Sequence, residues 1–391
     1  MKKVILLVLF VVLAAMDACK NFEIEHPDYI YSSCYFATQY PVRTIILGDY
    51  IYDNSMDNDH KCSILATMAG VYENKKDRKL TFEVDNSLCK DFYFNTKKMM
   101  VPDPDYPDDR SKDKEVTVAG DPVTAMPASY YSLSHSSEMV IPKGKLIGGV
   151  EVQLTDAFFN DPLAVKNTYV IPLRLKSTND LDSILSGKPA ENLGRLPDPR
   201  VPRDWITLPK NYIMYAIKYI NEYDAVYIHY GKSSIKKGQT VLKDSIYKTR
   251  YIEANNSFVK LATTGRKTVA SKEISIKSPV NKVLMPGEIT LQFEFDNSQN
   301  CKVTGSGTYK RGAFTTIYKV NGTGKFVSKD DDEYNMWGNK KRDVIKDVKF
   351  TVVVDSTDDP QIDPDLVYSA EDTFVVQNRN VVFETYSPTI F

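Results

Sequence analysis

Four histidines, at positions 26, 60, 135 and 229, are the first place to look for acid–base or metal chemistry. They lie far apart, and no His-Glu-x-x-His pair puts two imidazoles on one helical face. Ser134-His135-Ser136-Ser137 sets hydroxyls beside an imidazole, but neighbours in a strand point to opposite faces, which argues against a nucleophile with its base. Gly305-Ser306-Gly307 is not a Gly-x-Ser-x-Gly elbow, and Gly322-Thr323-Gly324 lacks the third glycine of a phosphate loop. Both read as strand kinks or turns. Catalytic and metal-ligating residues are therefore expected to be none, and no resident cofactor is expected.

Cys34, Cys62, Cys89 and Cys301 could form two bridges in three connectivities, yet no dense disulfide spacing and no Cys-x-x-Cys occurs. Settings such as Lys61-Cys62-Ser63-Ile64-Leu65 are strand-like, so buried free thiols are the simpler expectation. Acidic runs at Asp103 to Asp109, Asp330 to Glu333 and Asp358 to Asp365 supply oxygen ligands without the register of an EF-hand loop. They read as solvated loops, with opportunistic calcium as the alternative. Two carboxylates of a glycosidase could come from distant strands, and nothing singles out a pair.

Aromatic side chains are the remaining means of recognition, because a sugar ring offers an apolar C–H face and a polar rim that a Trp or Tyr platform can match. Trp337, in the polar loop Asn335 to Asp343, and Trp205 are the leading glycan-binding candidates, followed by Tyr130 and Tyr131. A packing role competes for each of them.

These residues must be positioned by strands. The 391-residue chain has 42% hydrophobic and 26% charged residues, an ordinary globular balance. Its net charge of −1 gives no basic face for nucleic acid beyond short clusters such as Lys340-Lys341-Arg342. Twenty-five tyrosines and 17 phenylalanines favour pleated surfaces. Val150 to Thr155, Glu288 to Asp296 and Lys346 to Asp355 alternate apolar with polar, the mark of a sheet buried on one face. Tyr169 to Leu175 continues the pattern, although Pro172 points to an edge strand or a bulge. Thr373 to Val376 and Val381 to Phe383 read as a closing hairpin through Asn378-Arg379-Asn380. Prolines at 189, 197, 199, 202 and 209 accumulate where apolar periodicity vanishes. The expectation is an all-β chain: an N-terminal sandwich over 31–176, a proline-rich linker over 177–208, and a second β-sandwich or lipocalin-like barrel over 209–391.

Met1-Lys2-Lys3 precedes an apolar run from Val4 to Ala15, shorter than the roughly 20 residues that span a bilayer. Residues 1–18 therefore read as a secretory signal, and Ala18-Cys19 resembles a lipoprotein cleavage site with Cys19 as the lipidated residue. Residues 19–30 then form a tether, so the protein would sit on a membrane through acyl chains alone.

Several segments of the first half resemble a family of Bacteroidetes surface lipoproteins with an N-terminal domain of unknown function. They are Pro41 to Gly48, Asp57 to Cys62, Gly70 to Asn74, Val84 to Cys89, Met126 to Tyr131, Ile141 to Gly144 and Leu154 to Phe159. Tyr215 to Asn221 and Trp337-Gly338-Asn339 are similar to the β-rich C-terminal domain that accompanies it. The resemblance implies an immunoglobulin-like first domain and a lipid-anchored outer-membrane protein, exposed on the cell surface, in a polysaccharide-utilisation system. A glycan would be its ligand, with a transporter and a glycan receptor as partners. It supplies no catalytic residues. Non-catalytic glycan capture is the leading expectation; a glycoside hydrolase or esterase, and an adhesive protein that binds other proteins, are the alternatives.

Overall fold

A computed structural model of the chain describes residues 28–247, 258–275, 288–330 and 340–390. The protein is all-β, with an N-terminal sheet unit and a C-terminal closed barrel of eight strand positions. Its helices are single short turns such as Ser55–Asn58 and Asp156–Asn160. Among the described residues no helix is long and apolar enough to cross a membrane.

The first unit is one hydrogen-bonded path. It runs from Ser183–Ile184 through Ser33–Tyr35, Lys61–Ala69, Ile147–Leu154, Glu138–Ile141, Arg78–Val84, Tyr169–Thr178 and Tyr212–Ile220 to Pro41–Ile46. The alternation read from sequence holds: Cys62, Ile64, Ala66 and Met68 of one strand and Val150, Val152 and Leu154 of its neighbour are buried, while Leu65 and Ile147 face out. Cys34 near one end of the path and Ile45 near the other enter the same core, so the sheet folds over on itself. Phe158, Phe159 and Tyr219 close that core edge-to-face, with centroids 5.1–5.9 Å apart. Edge-to-face packing sets the positive rim of one ring against the negative face of the next.

The barrel begins at Ala225. Strands Phe258–Gly265, Thr268–Ser275, Glu288–Phe295, Asn300–Arg311, Phe314–Val327, Val344–Thr357 and Leu366–Asn378 follow in order, and the last pairs with Ala225–Lys237 to close the ring. Thr240–Tyr247 covers the distal half of that first strand, as Phe258–Gly265 covers its proximal half. Closure through Ala225–Ile228 pairs the proximal half of the ring on both sides, which removes a template for aggregation there, while Thr240–Tyr247 pairs with Ala225–Lys237 alone among the described strands. Ile289, Leu291, Phe293 and Phe295 point inward with Val348, Phe350 and Val352, in keeping with the period-2 pattern.

Three expectations shift. Tyr212–Ile220, read as the opening of the second unit, is hydrogen-bonded between Tyr169–Thr178 and Pro41–Ile46 of the first sheet, and the chain crosses to the barrel at Asn221–Asp224. The proline-rich stretch instead runs along the first unit, where Ser183–Ile184 pairs with Ser33–Cys34. Strand pattern alone does not state which sheet a strand joins. Pro172 sits in a central strand: its neighbour Arg78–Val84 ends at Val84 opposite Leu173, so no donor is needed on that side, and the bulge comes later, between Leu175 and Ser177. The closing hairpin does not form. Thr373 to Val376 lies inside Leu366–Asn378, Val382 and Phe383 are exposed, and Glu384–Thr385 pairs back with Pro41 and Val42 of the first unit.

That return ties the units together. Thr389 and Ile390 pair with Tyr93 and Phe92, and the buried Tyr386 donates its hydroxyl to the Met214 carbonyl at 2.9 Å. Lys218 meets Glu384 at 2.7 Å, and Arg266 meets Asp156 at 2.8 Å.

Candidate functional site

A cleft of about 520 Å³ opens where the loop after Pro41–Ile46 meets the proximal rim of the barrel. Its size lies within the roughly 300–1,000 Å³ of small-ligand sites. Asp49, Tyr50 and Ile51 form one wall; Lys329, Lys340 to Asp343 and Val376 to Val381 form the others. The first wall is set by Gly48, whose φ of +82° suits glycine and where a Cβ would lie 2.5 Å from that of Glu222. Asn54 and Asn58 fix the same turn by donating to the Gly48 carbonyl at 2.8 and 3.2 Å.

Arg379 forms the floor and is 7% exposed. Its guanidinium donates to the carbonyls of Glu222, Leu47 and Asn221 at 2.7, 2.8 and 2.6 Å, joining both units through one side chain. Beside it Arg342 donates to the carbonyls of Val376 and Gln377 at 2.9 and 3.1 Å. The Nε of each arginine is buried without a hydrogen-bond partner. Burial depresses the pKa of both groups from the ordinary arginine value.

Lys329 pairs with Asp49 at 2.6 Å across the unit boundary. Asp343, 9% exposed, accepts the Lys329 backbone N–H at 2.8 Å. Burial pushes its carboxyl above the usual carboxylate range; that hydrogen bond opposes the rise, and the negative Asp49 adds to it. Lys340 and Lys341 are exposed and have no ion-pair partner among the described residues. Tyr50 stands edge-to-face with Tyr52 at 5.7 Å, and Ile51 is 81% exposed, giving the cleft an apolar lip.

The aromatic candidates from sequence do not gather here. Trp205 is partly buried on a two-stranded ribbon and donates its indole N–H to the Asp198 carbonyl at 2.7 Å. Tyr130 donates to Asp161 at 2.9 Å and packs edge-to-face on Tyr169, and Tyr131 packs partly buried against the first core. Trp337 and Cys19 lie outside the described residues. Cys34, Cys62, Cys89 and Cys301 are free thiols, and burial pushes Cys62 up to about 12 and Cys34 up to about 11. His60 stacks on Phe159, while His135 faces Ser134 at 3.3 Å on the surface. Asp103, Asp359 and Asp363 of the acidic runs are ion-paired with Lys114, Arg311 and Lys237.

Sequence missed one polar group inside the barrel. His229 stacks on Phe374 at 4.7 Å with its Nε2 3.0 Å from the buried Asp372, whose other oxygen accepts the Tyr247 hydroxyl. Gly231 makes room for that carboxylate, since a Cβ there would sit 2.3 Å from it. The cluster is enclosed by aromatic rings.

Comparison with known proteins agrees with this two-part layout. A family model for a "-like, N-terminal domain" matches residues 30–182, and the model Domain of unknown function (DUF5627) matches residues 222–380. The second match begins beside the observed crossover. A Bacteroides ovatus protein solved in a structural genomics effort, its title giving unknown function, is 33% identical with a TM-score of 0.72, over 93% of this chain and 100% of that one. The chain belongs to this two-domain family. A further Bacteroides ovatus structure of unknown function aligns at 11% identity and a TM-score of 0.35, over 91% of this chain and 99% of that one. A Bacteroides thetaiotaomicron protein titled as an auxiliary nutrient binding protein aligns at 10% and 0.34, over 86% and 90%. No curated protein matches.

Proposed function

We propose that this family member is a lipid-anchored surface protein that captures a glycan without cleaving it, beside a transporter and a glycan receptor, and that the cleft between its two units is where the glycan sits. The cleft carries the reading. It joins an apolar lip, Tyr50 and Ile51, to a floor of hydrogen-bonding cations, the pairing that a sugar's C–H face and hydroxyl rim call for. Among the described residues no His, Ser or Cys lines it. Affinity electrophoresis of the full chain against neutral and acidic polysaccharides tests the reading. Retention by at least one is expected, and Tyr50→Ala should weaken it by about 1–3 kcal/mol, the range for truncating an aromatic anchor. If no polysaccharide retards the protein while a control binder is retarded, glycan capture fails.

One observation favours a hydrolase: Asp343, with a raised carboxyl, and Asp49 face the same cleft, as an acid and a carboxylate would. Two observations weigh against it. Asp49 is held by Lys329, and Asp343 is 9% exposed and accepts the Lys329 backbone N–H. Sugar release by the wild type that disappears in Asp343→Asn would reinstate the enzyme. The anchor is tested separately: Cys19→Ser should abolish palmitate labelling and membrane fractionation while export continues. Continued labelling would remove the lipoprotein reading.

A further inference from the structure

The cleft's electrostatics narrow the ligand. Among the described residues, five cationic side chains, Lys329, Lys340, Lys341, Arg342 and Arg379, line it against two carboxylates, Asp49 and Asp343, in a chain whose net charge is −1. Lys329 and Asp49 neutralise one another at 2.6 Å. Asp343 accepts the Lys329 backbone N–H, and among the described residues no carboxylate lies within ion-pairing distance of Lys340, Lys341, Arg342 or Arg379.

Arg342 and Arg379 differ from Arg43, Arg174, Arg200 and Arg311, each of which holds a carboxylate. Arg342 and Arg379 are bonded only to backbone carbonyls, neither has a carboxylate within ion-pairing distance among the described residues, and each holds a buried Nε–H without an acceptor. Carbonyls satisfy hydrogen-bond geometry without neutralising the charge; around Arg379 the carboxylates of Asp224, Asp343 and Glu222 offset its burial in part, and Arg342 has no such offset. A charge withdrawn from water and not neutralised costs free energy that a counter-charge recovers. The low-dielectric walls focus that field into the opening, where Lys340 and Lys341 extend it to the surface.

We infer that the cleft selects an acidic glycan, one whose sugar bears a carboxylate or a sulfate ester. The anionic group faces Arg342 with Lys340 and Lys341, Arg379 supplies positive potential from the floor, and the ring lies against Tyr50. This inference rests on the glycan reading above and adds the charge of the ligand to it. A carboxylate and a sulfate share this chemistry, so the test must separate them.

The full chain is run by affinity electrophoresis against polygalacturonate, chondroitin sulfate, dextran sulfate and the neutral dextran, beside the double variant Lys340→Glu/Lys341→Glu. Both replaced residues are exposed, and the melting temperature of the variant should match that of the wild type. The expected result is wild-type retention by polygalacturonate if a carboxylate is read, or by chondroitin sulfate, which carries both groups, and not by polygalacturonate if the sulfate ester is read; either is weakened by added salt and at least about tenfold weaker in the double variant. Arg342→Gln, which keeps hydrogen-bond donors and removes the charge, should show a similar loss. Retention by a neutral polysaccharide that the charge variants leave unchanged overturns the acidic assignment and leaves glycan capture standing. Retention by dextran sulfate alone shows unspecific polyanion attraction and overturns it too. Retention by none of the four or by any wider panel overturns both readings.

Discussion

Arginine does different work in the ion pairs within the units and at the cleft between them. In the first unit Arg200 forks onto Asp198 at 2.6 and 2.9 Å, donates to the carbonyls of Leu88 and Lys90, and lies over Phe92. The hydrogen bonds it donates to Asp198 raise its pKa, against the opposing effect of burial. Arg43 and Arg174 likewise hold Asp57 and Asp85. At the barrel rim Arg342 and Arg379 have only carbonyls, and burial lowers their pKa. A paired guanidinium is complete and serves as a structural clamp. A guanidinium held only by carbonyls is fixed in place while its charge remains available. The difference distinguishes a fastening from a binding surface, although the two types of site share one residue.

The comparison can be broken at its centre by Arg379→Ala, which leaves three carbonyls and the junction of the units without a donor. A loss of about 3–5 kcal/mol is expected, with the single unfolding transition splitting in two as the barrel and the first sheet melt separately. Urea titration followed by both near- and far-ultraviolet circular dichroism would show it. A change under about 1 kcal/mol would mean that the tail strands alone hold the units. Arg200→Ala should cost somewhat less, about 2–4 kcal/mol, because Asp198 is partly exposed and can turn to water. That loss should leave polysaccharide retention unchanged, whereas Arg342→Gln should do the reverse.

Smaller effects should appear in the dependence on pH, with opposite signs in the two regions. Burial pushes Asp198 upward, but the hydrogen bonds and charge of Arg200 prevail and hold its carboxyl below the ordinary range. Its contribution is therefore present above the unfolded carboxyl value of about 3.9 and is lost as pH falls through the lower folded value. Asp343 is raised, so its contribution is present below about 3.9 and is lost as pH rises through the folded value. Urea midpoints measured from about pH 3 to about pH 7 should show Asp198→Asn flattening the loss on the acid side and Asp343→Asn flattening the fall above about pH 4. The smallest expected effect is on stability in Lys340→Ala, within about 0.5 kcal/mol, as for exposed side chains that touch no packed feature.

Much of the architecture was legible because its signal is local. Period-2 alternation in Glu288 to Asp296 and Lys346 to Asp355 fixed both the strands and their inward faces, since each residue's direction depends only on its neighbours. The same reasoning failed at Tyr212–Ile220, whose pattern suits either sheet, and at Val381 to Phe383, where turn chemistry suggested a hairpin that the crossing to Pro41–Ile46 displaced. The cleft was legible only in pieces. Lys340-Lys341-Arg342 was visible as a short basic cluster and Arg379 as part of a turn, while Asp49 and Tyr50 gave no signal at all. The conspicuous aromatics Trp205 and Tyr130 proved to have their polar ends bound by nearby groups.

The sequence by itself determined that the chain is all-β and that its strands bury one face, because these follow from composition and spacing along the backbone. Only the tertiary structure decided which sheet each strand joins, where the chain crosses between units, and that Asp49, Arg342 and Arg379 share one opening. Those outcomes depend on pairing between residues as far apart as Leu47 and Arg379, and on whether a buried charge meets a carboxylate or a carbonyl once the chain has closed around it.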